Sequence, residues 1–187
     1  MTELKLIAGP KIGQSFLLVD GVLLDPAHTD AVLQIAERLV RPRALADLVR
    51  NPEQAALAVD LLGAPKIQGA VVAILAAPWG VKALAENGQA RPVYFMIAAQ
   101  HRGAQAAILA SPLVVKSLAE NGLAMESATL IAELTPPAQK IIFDVAFVES
   151  SLRNQGQGAA VDTIKSGWQR PLPTSWNRTV GDWINAF

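Results

Sequence analysis

The chain has 187 residues, is 51 % hydrophobic and only 17 % charged, and its 16 basic and 16 acidic side chains cancel. A neutral chain without a run of Lys or Arg excludes electrostatic nucleic-acid binding. The lack of cysteine excludes disulfide frameworks and thiolate metal sites, and two histidines, His28 and His101, are too few for a histidine-rich metal cluster.

No cofactor is expected. The apolar excess points to surface that a partner subunit covers, and hence to a homo-oligomer. The first residues, MTELKLIAGPKIG, lack the basic n-region and apolar stretch of a secretory signal. The most apolar stretch, Gly69 to Ala77, is far shorter than the roughly 20 residues of a membrane helix. A chain that folds in a cytoplasm, without a membrane partner, is expected.

In chain order, residues 1–27 form a β segment. Asp20-Gly21 sits between the short apolar runs Phe16–Val19 and Val22–Leu24. That dipeptide suits a tight type I′ hairpin turn, whose central residues both need positive φ. A hairpin alone is unstable, so it must lie on another sheet or on helices.

Residues 28–152 read as helical. Proline after a small or polar residue marks helix starts at Arg41-Pro42, Asn51-Pro52, Ala64-Pro65, Ala77-Pro78, Ser111-Pro112 and Thr135-Pro136. Ser111 and Thr135 are of the N-cap type. Residues 67–100 and 101–134 align without a gap and match at 17 of 34 positions, most clearly in AILAAPWGVKALAENG against AILASPLVVKSLAENG. Counting from Pro42, Pro78 and Pro112, apolar residues recur at +3 (Leu45, Val81, Val115), +6 (Leu48, Leu84, Leu118) and +7 (Val49, Ala85, Ala119), and asparagine at +9 (Asn51, Asn87, Asn121).

This spacing puts the apolar residues on one helical face, with Asn and Gly as the stop. An older, diverged repeat is expected at about 31–66. Helices this short are marginal alone and persist only by stacking. The fold class is therefore mainly α: an array of short stacked helices in repeats of about 34 residues, with a small N-terminal β-hairpin and an extended C-terminal arm. Pro136 to about Leu152 reads as one longer helix that closes the stack.

Residues 153–187 read as the arm, rich in Gly, Pro, Ser and Asn, yet holding three of the four tryptophans, Trp168, Trp176 and Trp183. A disordered tail is normally poor in aromatics. These three are the expected partner-binding anchors, and truncation after Asn154 is expected to abolish assembly while leaving helicity intact.

The remaining motifs read plainly. Lys82/Glu86 and Lys116/Glu120 are i, i+4 pairs on a solvated face. His101 and His28 read as surface or helix-end residues, and Trp79 as core or interface.

Phe147-Val148-Glu149-Ser150-Ser151, followed by Gly158-Ala159, resembles the Glu-Ser motif of lytic transglycosylases of the goose-lysozyme-like fold. That resemblance would make Glu149 a general acid cleaving cell-wall glycan, its pKa raised by an apolar cleft. The plainer reading is an exposed glutamate in a last helical turn. No phosphate loop, dinucleotide fingerprint or nucleophile elbow is present.

The unit small-Pro-x-x-Val-x-x-Leu-Ala-x-Asn, at Val40–Asn51, Ala76–Asn87 and Ala110–Asn121, is similar to short helical repeats of virion proteins of tailed bacteriophages, especially tail-fibre and tail-attached proteins. The resemblance implies a non-enzymatic tail, fibre-attachment or capsid-associated protein. Its partners would be itself and other virion structural proteins, and it would assemble in the host cytoplasm and reside in the virion. Glycan cleavage at Glu149 and a cellular α-solenoid adaptor are the alternatives.

Overall fold

A computed structural model describes residues 4–10, 15–19, 21–24 and 37–168. Three antiparallel strands, β1 (Leu4–Ala8), β2 (Ser15–Val19) and β3 (Val22–Leu24), form a sheet in the order β1-β2-β3. The expected hairpin is present: Val19 pairs with Val22, and Gly21 has φ +79°. Asp20 lies outside the described residues. Leu6 pairs with Leu17, and both are buried against the first helices. The sheet thus covers one end of the array, which stacked repeats require of their terminal units.

Among the described residues the array consists of four units. The first holds α1 (Ala44–Leu48) and α2 (Pro52–Gly63). The second holds α3 (Gln68–Ala76), α4 (Gly80–Leu84) and α5 (Ala90–Ala98), the third α6 (Arg102–Leu109), α7 (Val114–Leu118) and α8 (Ala124–Ala132). The fourth holds α9 (Pro136–Asp144), α10 (Val148–Asn154) and α11 (Gly158–Gly167). The middle helices α1, α4, α7 and α10 pack side by side in one row, as do α3, α6 and α9.

The stripe read from the sequence is the core. Leu45, Leu48, Val49, Val81, Leu84, Ala85, Val115, Leu118 and Ala119 are all buried. Ala90, Val93 and Ile97 of α5 and Ala124, Ala128 and Ile131 of α8 complete it.

Two expectations are corrected. Residues 136–152 are not one helix; the chain breaks at Val145–Phe147, where Phe147 takes φ +74°. The boundary expected at 152/153 also moves, because α11 buries Val161 and Ile164 in the same core, so the array runs to Trp168. Truncation after Asn154 would remove α11 and cut into the core, so it cannot separate arm from array.

The middle helices α4, α7 and α10 end alike. Gly88, Gly122 and Gly156 have φ of +84°, +86° and +81° and stand 34 residues apart. In the fourth unit Gly156 N–H donates to Arg153 O at 3.0 Å and Gln157 N–H to Leu152 O at 2.9 Å, the two bonds of a Schellman motif. Glycine, not asparagine, takes the left-handed position. Asn87 and Asn121 precede it at φ near −100° and donate Nδ2–H to Ala83 O and Ser117 O, each at 2.8 Å.

Proline also acts differently from expectation at three starts, since after Pro42, Pro78 and Pro112 the helices begin only at Ala44, Gly80 and Val114. At Ser111-Pro112, Ser111 Oγ donates to Ala76 O at 2.6 Å, tying the third unit to an end carbonyl of the second. Thr135 sits at an N-cap position without a side-chain cap bond. Asn51 does cap, accepting from Gln54 N–H at 2.8 Å.

Ser127 is fully buried, and its Oγ has no partner among the described residues. The same position holds Val93 in the second unit and Val161 in the fourth, both buried. Ser127→Val is expected to stabilise the chain by about 1 kcal/mol, because it removes an unpaired hydroxyl and fills the core. Urea or thermal unfolding checks this; a lower midpoint would mean the hydroxyl is bonded.

Candidate functional site

The feature that recurs along one edge is a strained turn. Trp79, Leu113 and Phe147 have φ of +73°, +70° and +74° and stand 34 residues apart. Each is the third residue of a turn closed by an i+3 to i bond: Gly80 N–H to Ala77 O at 3.4 Å, Val114 to Ser111 at 3.4 Å, Val148 to Val145 at 3.3 Å. These are type II turns, with Pro78, Pro112 and Ala146 at the second position, and a type II turn wants glycine at the third. A bulky residue there is a true outlier, costing roughly 1–3 kcal/mol. Here the chain adopts it three times.

The side chains so held point outward. Trp79 is 38 % and Phe147 60 % exposed, and Leu113 is half-buried. Arg43 stacks over the Trp79 ring at 5.2 Å and Lys116 over Phe147 at 5.7 Å. Each bridges neighbouring units, so the cations help hold the rings along the edge. Trp79 is thus a half-exposed edge residue. Lys82–Glu86 and Lys116–Glu120 form the expected surface pairs at 2.6 and 2.8 Å. Pairs so exposed contribute little.

Glu149 lies in the first turn of α10 rather than in the last turn of a helix. Its carboxylate pairs with Lys165 and, at 2.9 Å, with Arg153, and Arg153 reaches Asp162 at 2.5 Å. Hydrogen bonds from Lys165 and then Arg153 hold the Glu149 carboxyl below the ordinary carboxylate range. Arg153 likewise lowers Asp162. A general acid for glycan cleavage requires the opposite shift.

The repeat register explains this cluster. One unit earlier, the positions of Glu149, Arg153, Asp162 and Lys165 hold Val115, Ala119, Ala128 and Ile131, all buried. Among the described residues no unit follows the fourth, so four core positions become charges that satisfy one another. This is the polar outer face of a terminal repeat.

Trp168 differs from the expected arm anchor. Its indole Nε1–H donates to Gln139 Oε1 at 2.8 Å, and its ring meets Phe143 edge-on at 5.7 Å. It is therefore part of the fourth unit. Trp176, Trp183 and His28 lie outside the described residues. His101 is the N-cap of α6, with Nδ1 accepting from Ala104 N–H at 3.3 Å.

No protein-family model, curated protein or solved structure matches the chain. Among the described residues no group of His, Asp and Glu is placed to hold a metal ion, and no single helix is long and apolar enough to cross a membrane.

Proposed function

We propose that the chain is a non-enzymatic structural component of a bacteriophage virion that works by protein–protein assembly, with the repeat array as a rigid spacer. The observation that carries this reading is the edge formed by Trp79, Leu113 and Phe147. Three large apolar side chains, Trp79 and Phe147 exposed and Leu113 half-buried, are held along it at a backbone cost, one in each of the second, third and fourth units. Strain of this kind persists where the surrounding structure enforces it for a role, and a periodic apolar edge suits a periodic partner surface. The phage assignment rests on the similarity of the repeats to virion proteins. Glycan cleavage at Glu149 lacks a supporting shift, because its carboxyl is stabilised as the anion.

The test replaces all three residues with glycine. At positive φ glycine relieves strain, so Trp79→Gly/Leu113→Gly/Phe147→Gly should keep its helical circular dichroism. Light scattering across a concentration series should show a defined oligomer for the wild type and a monomer for the variant. A wild-type chain that stays monomeric moves the reading to a cellular α-solenoid adaptor. A variant that assembles like the wild type removes the edge from it.

A further inference from the structure

Two open cavities, of about 280 and 510 Å³, follow one another along the array. They are the same site one repeat apart. Gln68, Val71, Phe95, Met96 and Ala99 line the smaller, and the residues 34 positions on, Arg102, Gln105, Thr129, Leu130 and Glu133, line the larger. Each cavity lies where the start of a unit's first helix, α3 or α6, meets the last turns of its third, α5 or α8. The wall of the larger is fixed from behind, because Gln105 donates Nε2–H to the carbonyls of Ala98 at 2.9 Å and Gln100 at 2.8 Å.

The cavities and the strained edge lie at opposite ends of the same helices. α3 starts with Gln68 in the smaller cavity and ends at Ala76, just before the Trp79 turn. α6 starts with Arg102 in the larger cavity and ends at Leu109, just before the Leu113 turn. A helix of this length separates its two ends by on the order of 12 Å. One copy can therefore offer its edge to one neighbour and its cavities to another. Both features recur once per repeat, so the spacing of the edge residues equals the spacing of the cavities. An unrelated partner would have to match that spacing. A second copy of the chain, lying parallel, matches it by construction.

We infer that the edge of one copy seats in the cavities of a second copy, head to tail, with successive edge residues in successive cavities. This rests on the assembly reading and names its partner and the surface that receives the edge. An aromatic side chain buries ~150–250 Å² and its seat loses a similar area, so two seats account for on the order of 600–1,000 Å². That is at least half of the ~1,200 Å² at which specific interfaces begin. The charges agree. Arg43 and Lys116 accompany the edge rings, and Glu133 stands half exposed at the mouth of the larger cavity. Its exposed pair with Arg102 contributes little, so its carboxylate is available to an arriving cation. Head-to-tail contacts close into a ring where the rotation permits, and such a ring is the defined oligomer.

Light scattering on two variants and their mixture tests this. Ala99→Arg/Thr129→Arg sets a long cation in each cavity and keeps the edge. Both positions are exposed, so its helical circular dichroism should match the wild type. It should be monomeric, as should Trp79→Gly/Leu113→Gly/Phe147→Gly, which keeps the cavities. Mixed in equal amounts, the two should form a one-to-one complex and nothing larger, since one supplies only an edge and the other only cavities. In the wild-type oligomer, isotope-filtered Overhauser contacts between labelled and unlabelled copies should join the Met96 or Leu130 methyls to an edge ring. Their absence overturns the proposal without any variant. A cavity variant that assembles like the wild type overturns it and leaves the assembly reading standing. A mixture that stays monomeric overturns it as well. A wild-type chain that stays monomeric overturns both.

Discussion

Leu118→Asp is expected to unfold the whole array, not the third unit alone. Leu118 is fully buried on α7, which packs between α4 and α10. Losing its burial costs about 2–5 kcal/mol, and an unpaired buried carboxylate, or the proton needed to neutralise it, costs several more. That sum is comparable with the whole stability of an ordinary domain, about 5–15 kcal/mol. The helices run from 5 to 12 residues. Isolated helices shorter than ~12–15 residues do not hold in water. No unit therefore has a folded state to fall back on. Far-UV circular dichroism should show nearly all helicity lost, and Leu118→Ala should lower stability by about 3 kcal/mol with a single transition. Loss of only about a quarter of the helicity would mean the units fold separately.

The parts of this fold legible in the sequence were those that repeat with unchanged chemistry. Leu84 and Leu118 lie in matched sixteen-residue stretches, and the apolar stripe they belong to was sufficient to place the core. The fourth unit hid because its core face turns polar. Against the third it keeps Ala138, Gln139, Ile142, Val148, Ser151, Leu152, Gly156 and Thr163. The positions that would have continued the stripe are Glu149, Arg153, Asp162 and Lys165. Read locally, Glu149 resembles a catalytic residue and residues 153–168 part of an extended arm; both follow from the polar face of the fourth unit.

The edge was illegible for a different reason. Proline after a small residue fits the first turn of a helix and also the second position of a type II turn. Only a glycine at the third position would have separated the two from sequence, and here Trp79, Leu113 and Phe147 occupy it. Gln105 and Gln139 carried a usable signal, Ala-Gln followed by Ile three residues later in both units. A buried glutamine that repeats is a cap for something.

Gln139→Leu is expected to be the most costly polar substitution in the array. Gln139 is buried, and its two amide hydrogens serve three carbonyls at and just past the end of α8, while its oxygen takes the Trp168 indole. End carbonyls of a helix have no partner within it, and each buried group left unpaired costs about 1–3 kcal/mol. Leucine fills the volume but takes the side-chain donor from the Ala132 and Leu134 carbonyls and the acceptor from the indole, while Ile131 O keeps the Leu134 N–H at 3.0 Å, so a loss of about 4 kcal/mol is expected, a fall in melting temperature of roughly 10 °C. Trp168→Phe separates the two halves of this role. It keeps a ring against Phe143 and removes the donor, so a double-mutant cycle between the two positions isolates the indole bond. A coupling of about 1 kcal/mol or more is expected. Strictly additive costs would show that Trp168 holds the fourth unit by its ring alone. A Gln139→Leu chain as stable as the wild type would show that water reaches those carbonyls.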